Sequence, residues 1–207
     1  MIFYKNLLAS YKKDNCDWIV EKTPDHARYV FRIAKDFEGA KFIFIFRDPR
    51  AAIASLLKTP WNRKSTLIAA LEYTYMAKMI AKFQREFPVS IVHYEKLVSN
   101  PIASLKIVCQ FLELGFESKM LENNGGKEVV PDWELAWKAN SKNKITDSSL
   151  DKWRKNLTRS QIYTIERSCN EAMAQNNYAL SSVLSNTAKC RYRIEYFTYR
   201  TLRLFKP

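Results

Sequence analysis

The residues with the clearest chemistry in this sequence are Arg47 and Ser55, which follow a run of apolar residues. An arginine offers a fork of donors that matches a phosphate group, and a serine adds a hydroxyl. Asp48 and Pro49 suit the N-cap and the first position of a helix, so both side chains are predicted beside one helix start, where backbone N–H groups favour an anion. The sequence therefore predicts an anion site. One alternative stays open, in which Arg47 pairs with a carboxylate and Ser55 is merely small.

The apolar run before Arg47 predicts the strand that positions this site. Residues 42–46 are all apolar, too few for a globular helix and rich in aromatic and β-branched types. Such a run is typical of a parallel strand that is buried on both faces. A charged residue that follows directly lies at the carboxyl end of the strand, where open α/β sheets bind their ligands.

The first half of the chain alternates predicted strands and helices, which indicates an α/β fold with parallel strands. A brief strand is predicted at residues 18–20 and a helix at residues 25–37. After the central strand, the pattern predicts a helix at residues 65–87 and a strand at residues 89–94. The rest is predicted to be mainly helical, with helices at residues 101–114 and 159–174.

The composition limits the partners, metal sites and location that we expect for this protein. The chain has 207 residues, of which 34 are basic and 21 acidic, and its net charge of +13 favours anionic partners. Its four cysteines are far apart and it has only two histidines, so the sequence predicts reduced thiols and no metal-ligand cluster. No apolar run reaches transmembrane length and the start does not resemble a secretory signal, so we expect a cytoplasmic protein.

The predicted organisation is one domain with a tail. Residues 1–184 are expected to form an α/β domain, in which residues 116–148 make an irregular excursion over the site. Residues 185–207 form a tail that interleaves basic and aromatic side chains. Three interpretations of this tail stay open: a solvated terminal helix, an anionic membrane surface and nucleic acid. Nucleic acid is not an expected partner.

Four segments, in this order along the chain, resemble the sulfotransferase family in its bacterial and carbohydrate-type branch. A strand that ends in R-D-P-R, with a serine eight residues after the first arginine, is the most specific of them. The resemblance covers roughly residues 17–178. The four segments are Glu21-Lys22-Thr23-Pro24, the strand with Arg47-Asp48-Pro49-Arg50 and Ser55, Tyr94-Glu95-Lys96-Leu97 with Asn100-Pro101, and Trp153-Arg154.

The resemblance implies a P-loop-like three-layer sandwich with a parallel sheet and a helical C-terminal part. It implies transfer of a sulfuryl group from 3′-phosphoadenosine 5′-phosphosulfate (PAPS), without a metal, to a hydroxyl or amine acceptor, expected to be a carbohydrate or small molecule. Arg47 and Ser55 match the pair that holds the 3′-phosphate of the donor in the family. Lys22 matches a lysine near the transferred group, where its ammonium would neutralise charge on the bridging oxygen. Trp153 and Arg154 match a segment near the nucleotide.

Alternatives remain for several of these residues. For Lys22 the alternative is a surface charge at a turn, and Trp153 is equally consistent with core packing. The general base is unassigned, since Glu21 and His26 are nearby candidates that also suit a loop or a helix start.

The sequence departs from the family at one signature. The Gly-rich loop P-x-[RK]-[ST]-G-[ST]-T, whose amides cradle the 5′-phosphosulfate, has no counterpart, and residues 1–16 contain no glycine. We therefore expect an N-terminally truncated or degenerate homologue that keeps half of the donor site, and loss of activity in the chain alone stays an open alternative. Two other functions stay open, a binding module without catalysis and a basic protein of membrane surfaces or nucleic acid.

Overall fold

The central strand of this protein pairs with one other strand in the part of the chain that the structure describes. The structure is a computed structural model, and it describes residues 18–122, 150–181 and 186–204. Strand β1 (Phe42–Phe46) runs parallel to β2 (Val89–His93), with Phe46 opposite His93. The residues after the two strands therefore meet at one edge of the sheet. The predicted α/β class with a parallel sheet is confirmed.

The prediction that β1 is buried on both faces is wrong for the described structure. Phe46 is buried, whereas Ile43 is 40% and Ile45 63% exposed. Side chains alternate between the two faces of a strand, so one face of β1 packs on the core and the other is only partly covered by the described residues. The unbroken apolar run did not reveal this difference between the faces.

The segment before β1 also departs from its prediction. Residues 18–20 form no strand and are exposed, because three residues without a paired neighbour make too few ladder hydrogen bonds. The predicted helix after them begins as a 3₁₀ helix (Pro24–Tyr29) and continues as α1 (Val30–Asp36). Gly39, at a φ of +78°, provides the left-handed turn that leads into β1.

Helices make up most of the remaining structure. Asp48, Ser65, Asn100 and Thr158 each cap a helix with a side-chain oxygen, and Thr158 forms the predicted capping box with Gln161. The helices are α2 (Pro49–Leu56), α3 (Thr66–Phe83), α4 (Tyr94–Ser99), α5 (Pro101–Leu112), α6 (Trp153–Asn156), α7 (Arg159–Gln175) and α8 (Asn186–Leu204), with a 3₁₀ turn at Ser118–Leu121.

The core lies on one face of the sheet. Phe46 packs with Ala77 of α3 and Ala172 of α7, and this cluster joins β1 to the helices. On the opposite face, Ser90 and Val92 of β2 are buried, and α5 contacts that strand. The layers are thus helices, sheet and helix, and together they hold the carboxyl ends of the strands in place.

Some predictions fall outside the described structure. Most of the expected excursion lies in residues 123–149, which are not described, and the division at residue 184 stays a prediction. Cys109, Cys169 and Cys190 are free thiols. Among the described residues, no helix combines the length and the apolar character that crossing a bilayer requires.

Candidate functional site

Arg47 lies at the carboxyl end of β1, and at least one of its hydrogen-bond donors has no partner among the described residues. The centre of its guanidinium lies 4.5 Å from the centroid of the Tyr94 ring, which follows β2, so the parallel register brings the two residues together. No carboxylate of the described residues forms an ion pair with it, and its buried Nε has no hydrogen-bond partner there. A buried N–H without a partner costs about 1–3 kcal/mol, which an anionic ligand would offset.

The interpretation of Arg47 as half of an ion pair applies instead to its neighbour Arg50. Arg50 Nη2 lies 2.6 Å from Asp48 Oδ2, and Nη1 lies 2.7 Å from Glu166 Oε1 of α7. Its guanidinium also stacks 4.2 Å from the Trp153 ring centroid. Burial lowers the pKa of Arg50, but the hydrogen bonds and charges of the two carboxylates outweigh it and leave the pKa raised. Arg50 therefore acts as a charged clamp inside the core.

At the start of α2, one N–H group is already bound by the side chain of the N-cap residue. Asp48 Oδ1 accepts a hydrogen bond of 2.8 Å from Arg50 N, and Ala52 N donates to Asp48 O. A carboxylate at the N-cap already satisfies the N–H group and the helix dipole there. An anion at this edge would therefore meet a helix start whose dipole is partly offset by Asp48, and the side chain of Arg47 would be its main contact.

Glu95 links the two strand ends behind Arg47. Its Oε1 accepts a 2.9 Å hydrogen bond from Asp48 N, and its Oε2 accepts one of 2.9 Å from the Tyr178 hydroxyl. Burial, followed by the hydrogen bond to Glu95 and the negative charge, raises the pKa of Tyr178, so this hydroxyl stays a donor. Tyr73 donates a 2.8 Å bond to the carbonyl oxygen of Arg47. These hydrogen bonds hold the backbone of Arg47 and Asp48 in place.

Ser55 lies near the end of α2 rather than at its start. Six residues separate it from Pro49, a rise of about 9 Å along the helix axis. Its side chain is exposed, and none of the described residues provides it with a hydrogen-bond partner. The structure therefore leaves the hydroxyl open to a ligand but shows no contact between Ser55 and Arg47.

Lys22 lies in the exposed segment before the 3₁₀ helix. The adjacent Glu21 accepts a 2.8 Å hydrogen bond from His26. Burial raises the pKa of Glu21, but hydrogen bonds from Thr23 and His26 outweigh this effect. The pKa is therefore lowered overall, and the carboxylate form is favoured. Arg28 lies 3.7 Å from Glu72 of α3, the neighbour of Tyr73, which ties this segment to the helix that contacts Arg47.

Trp153 and Arg154 have different environments. Trp153 is only 3% exposed and belongs to the core, so the structure favours the packing interpretation of this residue. Arg154 is exposed, stacks 4.5 Å from the Trp153 ring and pairs with Asp151 at 2.9 Å. Only the second of these side chains is accessible to a nucleotide.

A cavity of about 570 Å³ opens at the other end of the sheet. Phe37, Phe42 and Phe111 line it, and Lys41 is neutralised there by Glu113 at 2.6 Å. It lies at the amino ends of the strands, whereas ligands of open α/β sheets bind at the carboxyl ends. The edge with Arg47 is therefore the better candidate for the functional site.

A comparison with models of protein families identifies the family of this chain. Residues 3–118 match the model described as "Sulfotransferase family". This match spans more than half of the chain, and the chain belongs to the sulfotransferase family.

Two curated relatives are similar in sequence. A Caenorhabditis elegans protein named "Putative protein-tyrosine sulfotransferase" is 26% identical over 145 residues, which cover 65% of this chain and 56% of the relative. The Caenorhabditis briggsae protein of the same name is 23% identical over 150 residues, covering 65% and 51%. The chain thus spans about half the length of the curated relatives it matches.

Solved structures agree in fold. The sulfotransferase domain from the curacin biosynthetic pathway has a TM-score of 0.69 at 20% identity and covers 87% of this chain and 68% of its own. The sulfotransferase domain from the Synechococcus PCC 7002 olefin synthase has a TM-score of 0.65 at 22% identity, covering 78% and 58%. At these identities the likeness shows the fold, and it confirms the P-loop-like architecture.

Sequence reasoning missed the clamp of Arg50 and the bridging carboxylate of Glu95. A signal for the clamp was present, since Glu166 follows Ile162 by four residues and shares its buried face. A carboxylate on an apolar face needs a buried cation as partner. Nothing comparable marked Glu95, whose two partners are 47 and 83 residues away along the chain.

Proposed function

We propose that this chain carries the donor site of a sulfotransferase and binds PAPS through the 3′-phosphate, with Arg47 as the main contact. The observation that supports this most is the guanidinium of Arg47, which has no ion pair among the described residues and stacks on Tyr94, whereas the nearby Arg50 is paired with two carboxylates. Charge-assisted hydrogen bonds from the planar guanidinium of arginine to phosphate are strong and often bidentate. In the proposed complex, the Nε of Arg47 would gain a hydrogen-bond partner. The exposed hydroxyl of Ser55 supplies a second contact, and Arg154 supplies a third contact, as a second cation near the nucleotide.

In the proposed reaction, an acceptor oxygen attacks the sulfur, and the bond from sulfur to the bridging phosphate oxygen breaks. The acceptor proton passes to a base or to solvent, and 3′-phosphoadenosine 5′-phosphate (PAP) leaves. Lys22 is placed by its motif to neutralise the charge that develops on the leaving oxygen. Glu21, held as a carboxylate, is the candidate base in the same segment.

The acceptor is proposed to be a hydroxyl group, and the first to test is the phenol of a tyrosine in an acidic peptide. The names of the curated relatives support this choice over the carbohydrate expected from the sequence. The net charge of +13 adds to it, because a basic protein attracts acidic peptides.

Calorimetry with PAP and transfer from radiolabelled PAPS test the proposal on the full chain. We expect PAP binding that weakens about tenfold to a hundredfold in Arg47→Ala. The matched control is Arg85→Ala, an exposed arginine in the turn after α3, and it should bind like the wild type. The absence of PAP binding, or an equal loss in both variants, overturns the proposed donor site.

Transfer is measured with an acidic tyrosine peptide and with an oligosaccharide. Label on the peptide supports the tyrosine acceptor, and label on the sugar alone supports the carbohydrate instead. PAP binding without transfer to either identifies a binding module. For Lys22→Ala, we expect a lower kcat with unchanged PAP affinity, and a loss of affinity alone contradicts its proposed role.

A further inference from the structure

Helix α8 (Asn186–Leu204) packs on the domain through one face. Ala188 is buried, and the ring of Tyr192 lies 5.9 Å from that of Tyr163 on α7. Glu195, on the same side, accepts a 2.9 Å bond from Arg191. With 19 residues, the helix extends for about 28 Å and presents its opposite face outward.

The outward face has an apolar strip. Cys190, Ile194, Phe197 and Thr201 follow each other at spacings of three and four residues, which places them on one side of the helix. Ile194 is 62% and Phe197 73% exposed, and no described element covers them. Burying two such side chains is worth roughly 1.5–3 kcal/mol each, so this strip favours an apolar partner.

A row of basic residues runs beside this strip. Lys189, Arg193 and Arg200 lie at i, i+4 and i+11, on one flank of the apolar residues. No ion pair joins any of the three to a carboxylate in the described ranges, whereas Arg191 on the far flank is paired. The outward face therefore carries three basic side chains, and the one acidic residue in the sequence of α8, Glu195, is paired with Arg191 on the other side.

From these two features together we propose that α8 binds an anionic membrane surface, lying in the plane of the interface. The apolar strip would enter the boundary between headgroups and acyl chains, and the basic row would meet lipid phosphates and carboxylates. The helix would lie on the membrane rather than span it, in keeping with its many charges.

The composition of the strip favours lipid over nucleic acid. Binding of single strands by stacking needs several open aromatic faces in succession. Phe197 is the one aromatic ring among the four strip residues, and the neighbouring Tyr196 is stacked on Tyr192 at 5.7 Å. Aliphatic side chains such as Ile194 pack well among acyl chains but offer no face to a base.

Flotation of the full chain with vesicles tests this proposal. One set contains phosphatidylcholine alone, and the other contains equal parts phosphatidylcholine and phosphatidylserine. We expect binding to the anionic set only, weakening as salt is raised. The double variant Arg193→Glu with Arg200→Glu should lower the partition coefficient by about tenfold or more. Its charge-matched control is Arg85→Glu with Lys119→Glu, two exposed basic residues elsewhere, which should retain most of the binding.

A second pair of variants tests the apolar strip. Ile194→Glu should reduce binding strongly, while Ile107→Glu on α5, equally 62% exposed in the wild type, should not. Circular dichroism and thermal melting verify that each variant is folded. Equal effects of the surface variants and their controls, or equal binding to both vesicle sets, overturn the proposal.

Two further outcomes also overturn it. One is the binding of a single-stranded RNA oligomer that depends on Arg193 and Arg200, without flotation on vesicles. The other is a concentration-dependent dimer in light scattering that Ile194→Glu dissociates, again without flotation.

Discussion

Two arginines three residues apart, Arg47 and Arg50, occupy opposite environments at the end of β1. On the inner side, Arg50 is buried, contacts Asp48 and Glu166, and stacks on Trp153. On the outer side, Arg47 is half-buried, stacks on Tyr94 and has no ion pair among the described residues.

These environments indicate different roles: Arg50 stabilises the fold, and Arg47 is the residue proposed to bind a ligand. Arg50 has its charge balanced within the protein, so a ligand would gain little from it. Arg47 lies at the edge where α/β folds bind ligands, and its Nε has no hydrogen-bond partner among the described residues, which is the basis for proposing a phosphate there. Residues held with unmet polar groups mark functional sites when the surrounding structure fixes them.

The largest expected effect is on the inner side. Arg50→Met would leave the carboxylates of Asp48 and Glu166 buried without a cation, and it should lower the free energy of unfolding by about 3–5 kcal/mol. Urea denaturation measures this loss. In the same assay, Arg47→Met should change the free energy by less than about 1 kcal/mol. Similar losses in the two variants would break the comparison, and Glu166→Gln offers a milder test if Arg50→Met does not fold.

A smaller effect is expected behind Arg47. Glu95→Ala removes the acceptor of both Asp48 N and the Tyr178 hydroxyl, and should cost about 1–3 kcal/mol of unfolding free energy. It should also weaken PAP binding, because the backbone of Arg47 loses its support. Glu95→Gln keeps an oxygen for Asp48 N and should recover most of both. If Gln and Ala behave alike in denaturation and calorimetry, the charge of Glu95 matters and its bridging position does not.

The smallest effect concerns pH. Burial, followed by the charge of Lys96, lowers the pKa of His93, although Glu95 opposes this. The unfolded chain therefore takes up a proton first as the pH falls, and stability should decrease below the ordinary histidine pKa of about 6.5. His93→Gln should lose less stability between about pH 7 and about pH 5, measured by urea denaturation. An equally steep loss in the variant would assign the pH dependence to other groups.

The sequence was sufficient for the parts of the fold that depend on local patterns. Apolar periodicity and cap chemistry were enough to predict the strand at residues 42–46, the capping box at Thr158 and the helix that follows it. The alternation of strands and helices predicted the parallel sheet, and the family resemblance supplied its P-loop-like class. Predictions failed where burial depends on distant segments, as for the exposed face of β1 at Ile43 and Ile45 and for residues 18–20.

The candidate site was predictable only in part. A local motif indicated Arg47 and Ser55 as candidate site residues. It did not show that Arg50 is buried in ion pairs while Arg47 is not. That distinction depends on Glu166, which lies 116 residues from Arg50 along the chain. Asp48 was correctly predicted as the N-cap of α2, where its carboxylate accepts a hydrogen bond from Arg50 N.

The most direct test of the donor site compares two nucleotides that differ by one phosphate. Calorimetry measures the affinities of PAP and of adenosine 5′-monophosphate, which lacks the 3′-phosphate, for the wild type and for Arg47→Ala. We predict that the wild type prefers PAP by about tenfold to a hundredfold, and that Arg47→Ala abolishes this preference while binding the monophosphate as before. An undiminished preference for PAP in Arg47→Ala would contradict the assignment of the 3′-phosphate to this arginine.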